Sequence, residues 1–148
     1  MNVMMYDERF LTPMRRELTE IGFDEWRTAD DVDAHIPQET GTTLVVVNSV
    51  CGCSARMARP ALRMALEASD RRPERMATVF AGQDQEATAR ARAYFTGYAP
   101  SSPSIALLKD GKLVYMMERW QIEGRSPDMI ASDLVTAFQQ HCGPAPSA

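Results

Sequence analysis

The chain has 148 residues, 45% hydrophobic and 24% charged, which is the composition of one globular domain and excludes a disordered, collagen-like or fibrous protein. A domain of this size buries roughly 70% of the surface its unfolded chain exposes, so its core stands without disulfide staples or a structural metal. The formal net charge is -4, and the basic residues, with only Lys109 and Lys112 as lysine, are scattered among 20 acidic ones, so no basic stripe invites nucleic acid.

Near the N-terminus, Asp7 and Glu8 stand where a secretory signal needs a basic and then an apolar segment. The longest strongly apolar run, residues 44–47, falls far short of the roughly 20 residues of a membrane helix. The expectation is a cytoplasmic protein with no membrane partner. In a reducing compartment, three cysteines, two of them one residue apart, are expected to be catalytic, redox-sensing or metal-binding.

From residue 6 to residue 21, Phe10, Leu11, Met14, Leu18 and Ile21 recur at helical spacing up to Gly22. Pro13 inside that pattern either kinks the helix or opens its main part, with Thr12 as cap. A short helix follows, from a cap at residues 28–30 to His35, and residues 38–42 form a linking turn. Residues 43–49 are a β-branched run without alternation, the pattern of a central strand covered on both faces.

After Cys51-Gly52-Cys53, residues 54–69 read as a helix interrupted at Pro60. Residues 76–81 are a second strand and 83–95 a helix. Residues 104–108 and 112–117 form a hairpin around Asp110-Gly111. A last helix runs from a Ser126 cap to His141, and residues 143–148 form a tail after a single domain at 1–142. Two strand–helix units give parallel neighbours and the hairpin adds an antiparallel pair. The predicted architecture is α/β, with a mixed central sheet, helices on both faces and an N-terminal helical extension; that order is compatible with a thioredoxin-like fold.

Cysteine attacks as thiolate, and the N-H groups and dipole of a helix N-terminus stabilise that anion. Cys51 lies at such a strand-to-helix junction, with Arg56 and Arg59 in the first turns as auxiliary sources of positive potential. Cys53 is close enough to displace a mixed disulfide formed on Cys51. An internal Cys-Gly-Cys disulfide closes a small strained ring, which raises the reduction potential. Gly52 suits that loop because it tolerates unusual backbone angles.

Two other readings stand beside this one. Cys51, Cys53 and Cys142 with His35 or His141 would suffice by count for a tetrahedral metal site, making the protein a metal-binding or metal-transfer module. The cysteines can equally be inert packing residues at a strand end. A second element is Ser101-Ser102-Pro103-Ser104, just before the hairpin. Thioredoxin-like folds carry a cis-proline there, preceded by backbone that can pair with an incoming peptide or thiol, whereas X-Pro bonds in general are mostly trans.

Several separated blocks resemble the bacilliredoxin family: residues 10–18, 41–53 with Cys51-Gly52-Cys53, 58–61, 79–84, 94–97, 101–104 and the ending His141-Cys142. The resemblance covers nearly the whole chain. It implies a thioredoxin-like thiol-disulfide oxidoreductase that reduces mixed disulfides between proteins and a small thiol such as bacillithiol, with disulfide isomerase activity besides. By position, Cys51 is then the attacking thiol, Cys53 the second thiol, and Pro103 the cis-proline, with Gly52 and Ser102 positioning substrate; Cys142 falls on a family cysteine as an auxiliary candidate. No bound cofactor or metal is implied. The implied partners are S-thiolated client proteins, the small thiol and a reductase. Ser54, Arg56 and Met57 depart from the smaller or less charged residues expected after the motif. The Arg- and Ala-rich composition suggests a GC-rich genome, whereas bacillithiol is best known from low-GC bacteria.

Overall fold

The computed structural model describes residues 6–38 and 40–144. Helix α1 (Glu8–Thr19) is followed by a short strand β1 (Asp24–Glu25) and helix α2 (Ala29–His35). Then come strand β2 (Thr42–Asn48), a π-helical turn (Ser54–Ala58) leading into α3 (Arg59–Ala68), β3 (Arg75–Phe80) and α4 (Gln85–Ala93). The hairpin β4 (Ser104–Lys109) and β5 (Lys112–Met117) precedes a 3-10 turn (Arg119–Gln121) and the closing helix α5 (Pro127–His141).

The sheet runs in the order β1-β3-β2-β4-β5. β1, β3 and β2 are parallel, while β4 is antiparallel to β2 and to β5. This is the mixed sheet expected from two strand–helix units and a hairpin. All seven residues of β2 are buried. Leu44 and Val46 face one core with α3, α5 and Leu18 of α1; Val45 and Val47 face the other with α2 and α4. The absence of polar alternation in β2 follows from that double cover.

Capping residues set the helix starts. Asp7 accepts from the N-H of Arg9, Thr28 and Asp31 form a reciprocal box at α2, and Ser126 accepts from Met129 ahead of Pro127. Asp110 and Gly111 both take positive φ, 52° and 79°, which the tight hairpin turn requires.

Several boundaries differ from the sequence-based expectation, most by one or two residues. Helix α1 begins at Glu8 with Asp7 as its cap, and Pro13 lies inside it; Thr12 is no cap, its hydroxyl donating back to the Glu8 carbonyl at 2.8 Å. Strand β1 has only Asp24 and Glu25 and therefore carries no apolar signal. Helix α4 starts at Gln85 because the backbone of Asp84, at φ -96° and ψ 72°, is not helical; Gln83 lies in the turn before it, its side-chain amide pairing with the backbone of Tyr6. The interruption expected near Pro60 is present, as a widened turn in which the N-H of Arg59 reaches the Ser54 carbonyl. Pro60 has no N-H for a carbonyl four residues back, and its ring crowds that carbonyl, so the turn ahead of it opens.

Of the expected tail, Gly143 and Pro144 are tied to the body. The N-H of Arg72 donates to the Gly143 carbonyl at 3.2 Å, and Pro144 bridges Arg71. Residues 145–148 lie outside the described residues, as do residues 1–5 of the N-terminal stretch and Glu39 of the linking turn.

Candidate active site

β2 ends at Asn48, and the chain turns through Ser49 and Val50 into the helical turn that follows Cys51. The N-H groups of Ser54 and Ala55 both reach the Cys51 carbonyl, at 2.9 and 3.2 Å, so the helical turn opens directly after Cys51. The Cys53 N-H donates to Cys51 Sγ at 3.3 Å, and the Cys51 N-H donates to Ser49 Oγ at 3.3 Å. One sulfur is thus held against the donor end of a helix.

Both thiols are free, with Cys51 half-buried and Cys53 buried. Their sulfurs lie 2.8 Å apart. Burial alone would push Cys51 up, but the hydrogen bond from Cys53, the N-H groups of Cys53 and Ser54 and the Arg119 charge outweigh it and hold Cys51 below the ordinary thiol value. Cys53 moves the other way, pushed up to about 11 by burial, by its bond to Cys51 and the Cys51 charge, and by the Glu123 carboxylate, against the pull of Arg119. Of the two thiols, the more accessible Cys51 is therefore the one that ionises first, and Cys53 the one that keeps its proton.

Arg119 and Glu123 join the site although no local motif marks them in the sequence. Both sit on the turn after β5, which Glu118 and Gln121 cap reciprocally and which the fully buried Ile122 anchors in the core. Arg119 Nη1 donates to the Ser102 carbonyl at 3.3 Å and Nη2 to Glu123 Oε2 at 3.1 Å. Cys53 Sγ lies 3.6 Å from the same Glu123 oxygen. The available signal was the i,i+4 spacing of an arginine and a glutamate, in a stretch without helical or strand periodicity.

Pro103 is buried and follows a cis Ser102-Pro103 bond. The next residue, Ser104, pairs with Val47 of β2, so the loop lies at the end of β2 from which Cys51 departs. Arg92 and Arg119 clamp it: Arg92 Nη2 donates to the Ser101 carbonyl at 3.1 Å, and the Arg119 N-H to Ser101 Oγ at 3.4 Å.

The auxiliary candidates fall elsewhere. Arg56 is exposed. Arg59 is buried and holds the framework, its Nη1 donating to Asn48 Oδ1 at 2.9 Å, the Ser49 carbonyl at 3.1 Å and Ser54 Oγ at 3.1 Å, while Nε pairs with Glu17 at 3.1 Å. Its charge is spent on these partners, and the cation acting on the thiols is Arg119. Gly52 has no positive φ, and a Cβ there would meet nothing within 4 Å, so the dithiol form does not require glycine for angle or space. Cys142 is buried beside Thr42 at the start of β2, a strand's length of roughly 20 Å from Cys51. Burial, with the Glu74 charge, pushes its thiol up against the pull of Thr42 and Lys109.

The four-ligand metal set is not assembled. His35 stacks on Trp26 against the opposite core, and His141 lies in the last turn of α5 next to Cys142. Among the described residues no group of three or more His, Cys, Asp or Glu side chains is placed to hold a metal ion.

Comparison with known proteins places nearly the whole chain. A protein-family profile described as disulphide isomerase matches residues 6–142. A bacilliredoxin of Salinibacter ruber is 55% identical over 141 residues, covering 95% of this chain and 83% of the relative. One of Koribacter versatilis is 56% identical over 139 residues, covering 94% and 95%. A Staphylococcus aureus bacilliredoxin is 51% identical over 142 residues, covering 96% and 97%. Among solved structures, Fasciola hepatica thioredoxin superposes with a TM-score of 0.56 at 22% identity, covering 80% of this chain and 99% of its own. A single-site mutant of a Halobacterium salinarum thioredoxin gives 0.56 at 17%, covering 84% and 95%; both show the thioredoxin-like fold. With relatives of this identity spanning nearly its whole length, the chain belongs to the bacilliredoxin family of thiol-disulfide oxidoreductases.

Proposed function

We propose that Cys51 is the attacking thiol of an enzyme that strips a bacillithiol-type small thiol from S-thiolated client proteins in the cytoplasm. The observation that carries this is the half-buried Cys51 sulfur at a helix N-terminus, 2.8 Å from the buried Cys53 thiol. The Cys51 thiolate attacks the small thiol's sulfur in the client's mixed disulfide. A new disulfide forms between Cys51 and the small thiol, the old bond breaks, and the client leaves as thiolate and takes a proton. A second small thiol, or Cys53, then displaces the adduct and frees Cys51 or closes the internal disulfide, which a cellular reductase reopens. Ser102, held ahead of the buried Pro103, is the edge against which the incoming disulfide aligns.

Incubation of the reduced protein with an S-bacillithiolated test protein should move the adduct onto Cys51, seen as a mass increase on that peptide. Equal transfer by a Cys51→Ala variant would contradict the assignment.

A second use of the same site is disulfide isomerisation, favoured by the family profile's description. Here Cys51 opens a wrong protein disulfide and is expelled by another client thiol, with no net electron transfer. The stabilised Cys51 thiolate and the small Cys-Gly-Cys ring both favour the reduced form, so the reduction potential should lie well above the roughly -270 mV of thioredoxin. A thioredoxin-like value would remove the basis for isomerase activity.

A further inference from the structure

The single S-H of Cys53 faces two acceptors, Cys51 Sγ at 2.8 Å and Glu123 Oε2 at 3.6 Å. Glu123 is held in place by Arg119 Nη2 at 3.1 Å, and Arg119 in turn by the Ser102 carbonyl ahead of Pro103. Once Cys51 carries an adduct, its sulfur is bonded and uncharged and no longer competes for that proton. Glu123 is the acceptor that remains.

We propose that Glu123 is a positioning residue that acts as a brake on Cys53, keeping its proton in place while Cys51 carries an adduct, so that an external small thiol, and not Cys53, is favoured to clear it. This rests on Cys51 being the attacking thiol.

The chemistry distinguishes a brake from a base. Arg119 first, together with the Cys53 contact, holds the Glu123 carboxyl below the usual carboxylate range, whereas burial, the largest cause, and Glu123 both push the Cys53 thiol up and both persist once Cys51 is bonded. A carboxylate so acidic does not take the proton of so weak an acid; its charge stabilises the S-H and opposes the thiolate. For closure, the Cys53 proton must first leave to solvent. The Cys53 thiolate then attacks Cys51 Sγ, the Cys51-to-small-thiol bond breaks, and the small thiol departs with the electron pair and is protonated. External clearance needs no such ionisation of Cys53. A second small-thiol thiolate attacks the adduct's outer sulfur, forms a small-thiol disulfide and returns Cys51 as thiolate.

Removing the carboxylate charge should therefore release the brake. Each tenfold gain in Cys53 thiolate is partly offset by lower nucleophilicity, so the net acceleration is about threefold per unit of lowered pKa.

The test uses 5,5'-dithiobis(2-nitrobenzoate) with the reduced full chain. Attack by Cys51 releases one coloured thionitrobenzoate in a first phase, and closure by Cys53 releases a second. Glu123→Gln should speed the second phase several-fold at pH 7, with the gain shrinking toward alkaline pH, where Cys53 ionises in both proteins. In a Cys53→Ser background, with or without Glu123→Gln, only the first phase should remain. A second phase that is unchanged or slowed by Glu123→Gln, or accelerated equally at all pH values, would overturn the brake. A first phase that survives Cys51→Ser would instead contradict the proposed order of attack, and the brake with it.

Discussion

Arg59 Nη1 and Asn48 Oδ1 are 2.9 Å apart, joining the first turn of α3 to the last residue of β2 across the loop that carries Cys51. The same oxygen accepts from the Ser49 N-H at 2.9 Å and from Ser54 Oγ at 3.0 Å. Asn48 Nδ2 extends the link to the Met14 carbonyl of α1 at 3.3 Å. The cysteine loop thus hangs from a buried polar knot whose members all have partners, which favours one geometry over the many an apolar knot would allow.

Arg59→Ala should destabilise the fold by about 3 kcal/mol, since it leaves Ser49, Ser54 and Asn48 short of a buried donor and Glu17 without its cation. Urea denaturation of the reduced protein measures this. An unchanged midpoint would show that the knot is dispensable. Because Arg59 acts through the framework, the pH midpoint for Cys51 labelling should move little in the folded variant.

Arg119→Gln should act in the opposite manner, leaving stability nearly intact while raising the Cys51 pKa. Alkylation of Cys51 at pH 7 should slow by a factor of about 2 to 5, a size typical of an exposed charge close to an anion. The deficit should close at alkaline pH and diminish in high salt, because exposed charges are screened. A loss of rate independent of both pH and salt would point to a lost contact and not to a lost charge.

Where the sequence pattern was dense, the fold was legible. The run from Leu44 to Val47 named a strand covered on both faces, Asp110-Gly111 named its turn, and Ser126-Pro127 named the start of α5, because burial, positive φ and capping each demand particular residue types. Asp24 and Glu25 could not be read, as two charged residues pair with β3 through backbone alone. Cys51, Cys53 and Pro103 were visible as local chemistry. Arg119 and Glu123 were not, because they lie about 70 residues downstream of the thiols and reach them only through the hairpin's return. The nearness of Arg59 in sequence points to an electrostatic part, whereas the packing around Asn48 gives it a structural one.

Metal binding should be weak. Cys51 and Cys53 supply two sulfurs and Glu123 at most a distant oxygen, while Cys142 and the histidines are held elsewhere. Purified, fully reduced protein should fail to withdraw zinc from a chelator of moderate affinity in a spectrophotometric competition. Stoichiometric withdrawal that disappears in Cys51→Ser would establish a metal site and require the two thiols to recruit ligands not now beside them.

The order of reactivity among the three thiols tests the central claim most directly, and it is measured by alkylation with limiting iodoacetamide across a pH series, followed by peptide mapping. Only the thiolate reacts, so the lowered Cys51 should be labelled first, with a midpoint below the ordinary thiol range. Cys53, pushed up by burial first, should follow only at more alkaline pH. Cys142, raised and buried at the C-terminal end of α5, should stay unlabelled until the protein unfolds. Labelling of Cys53 or Cys142 ahead of Cys51 at neutral pH would contradict the assignment of Cys51 as the attacking thiol.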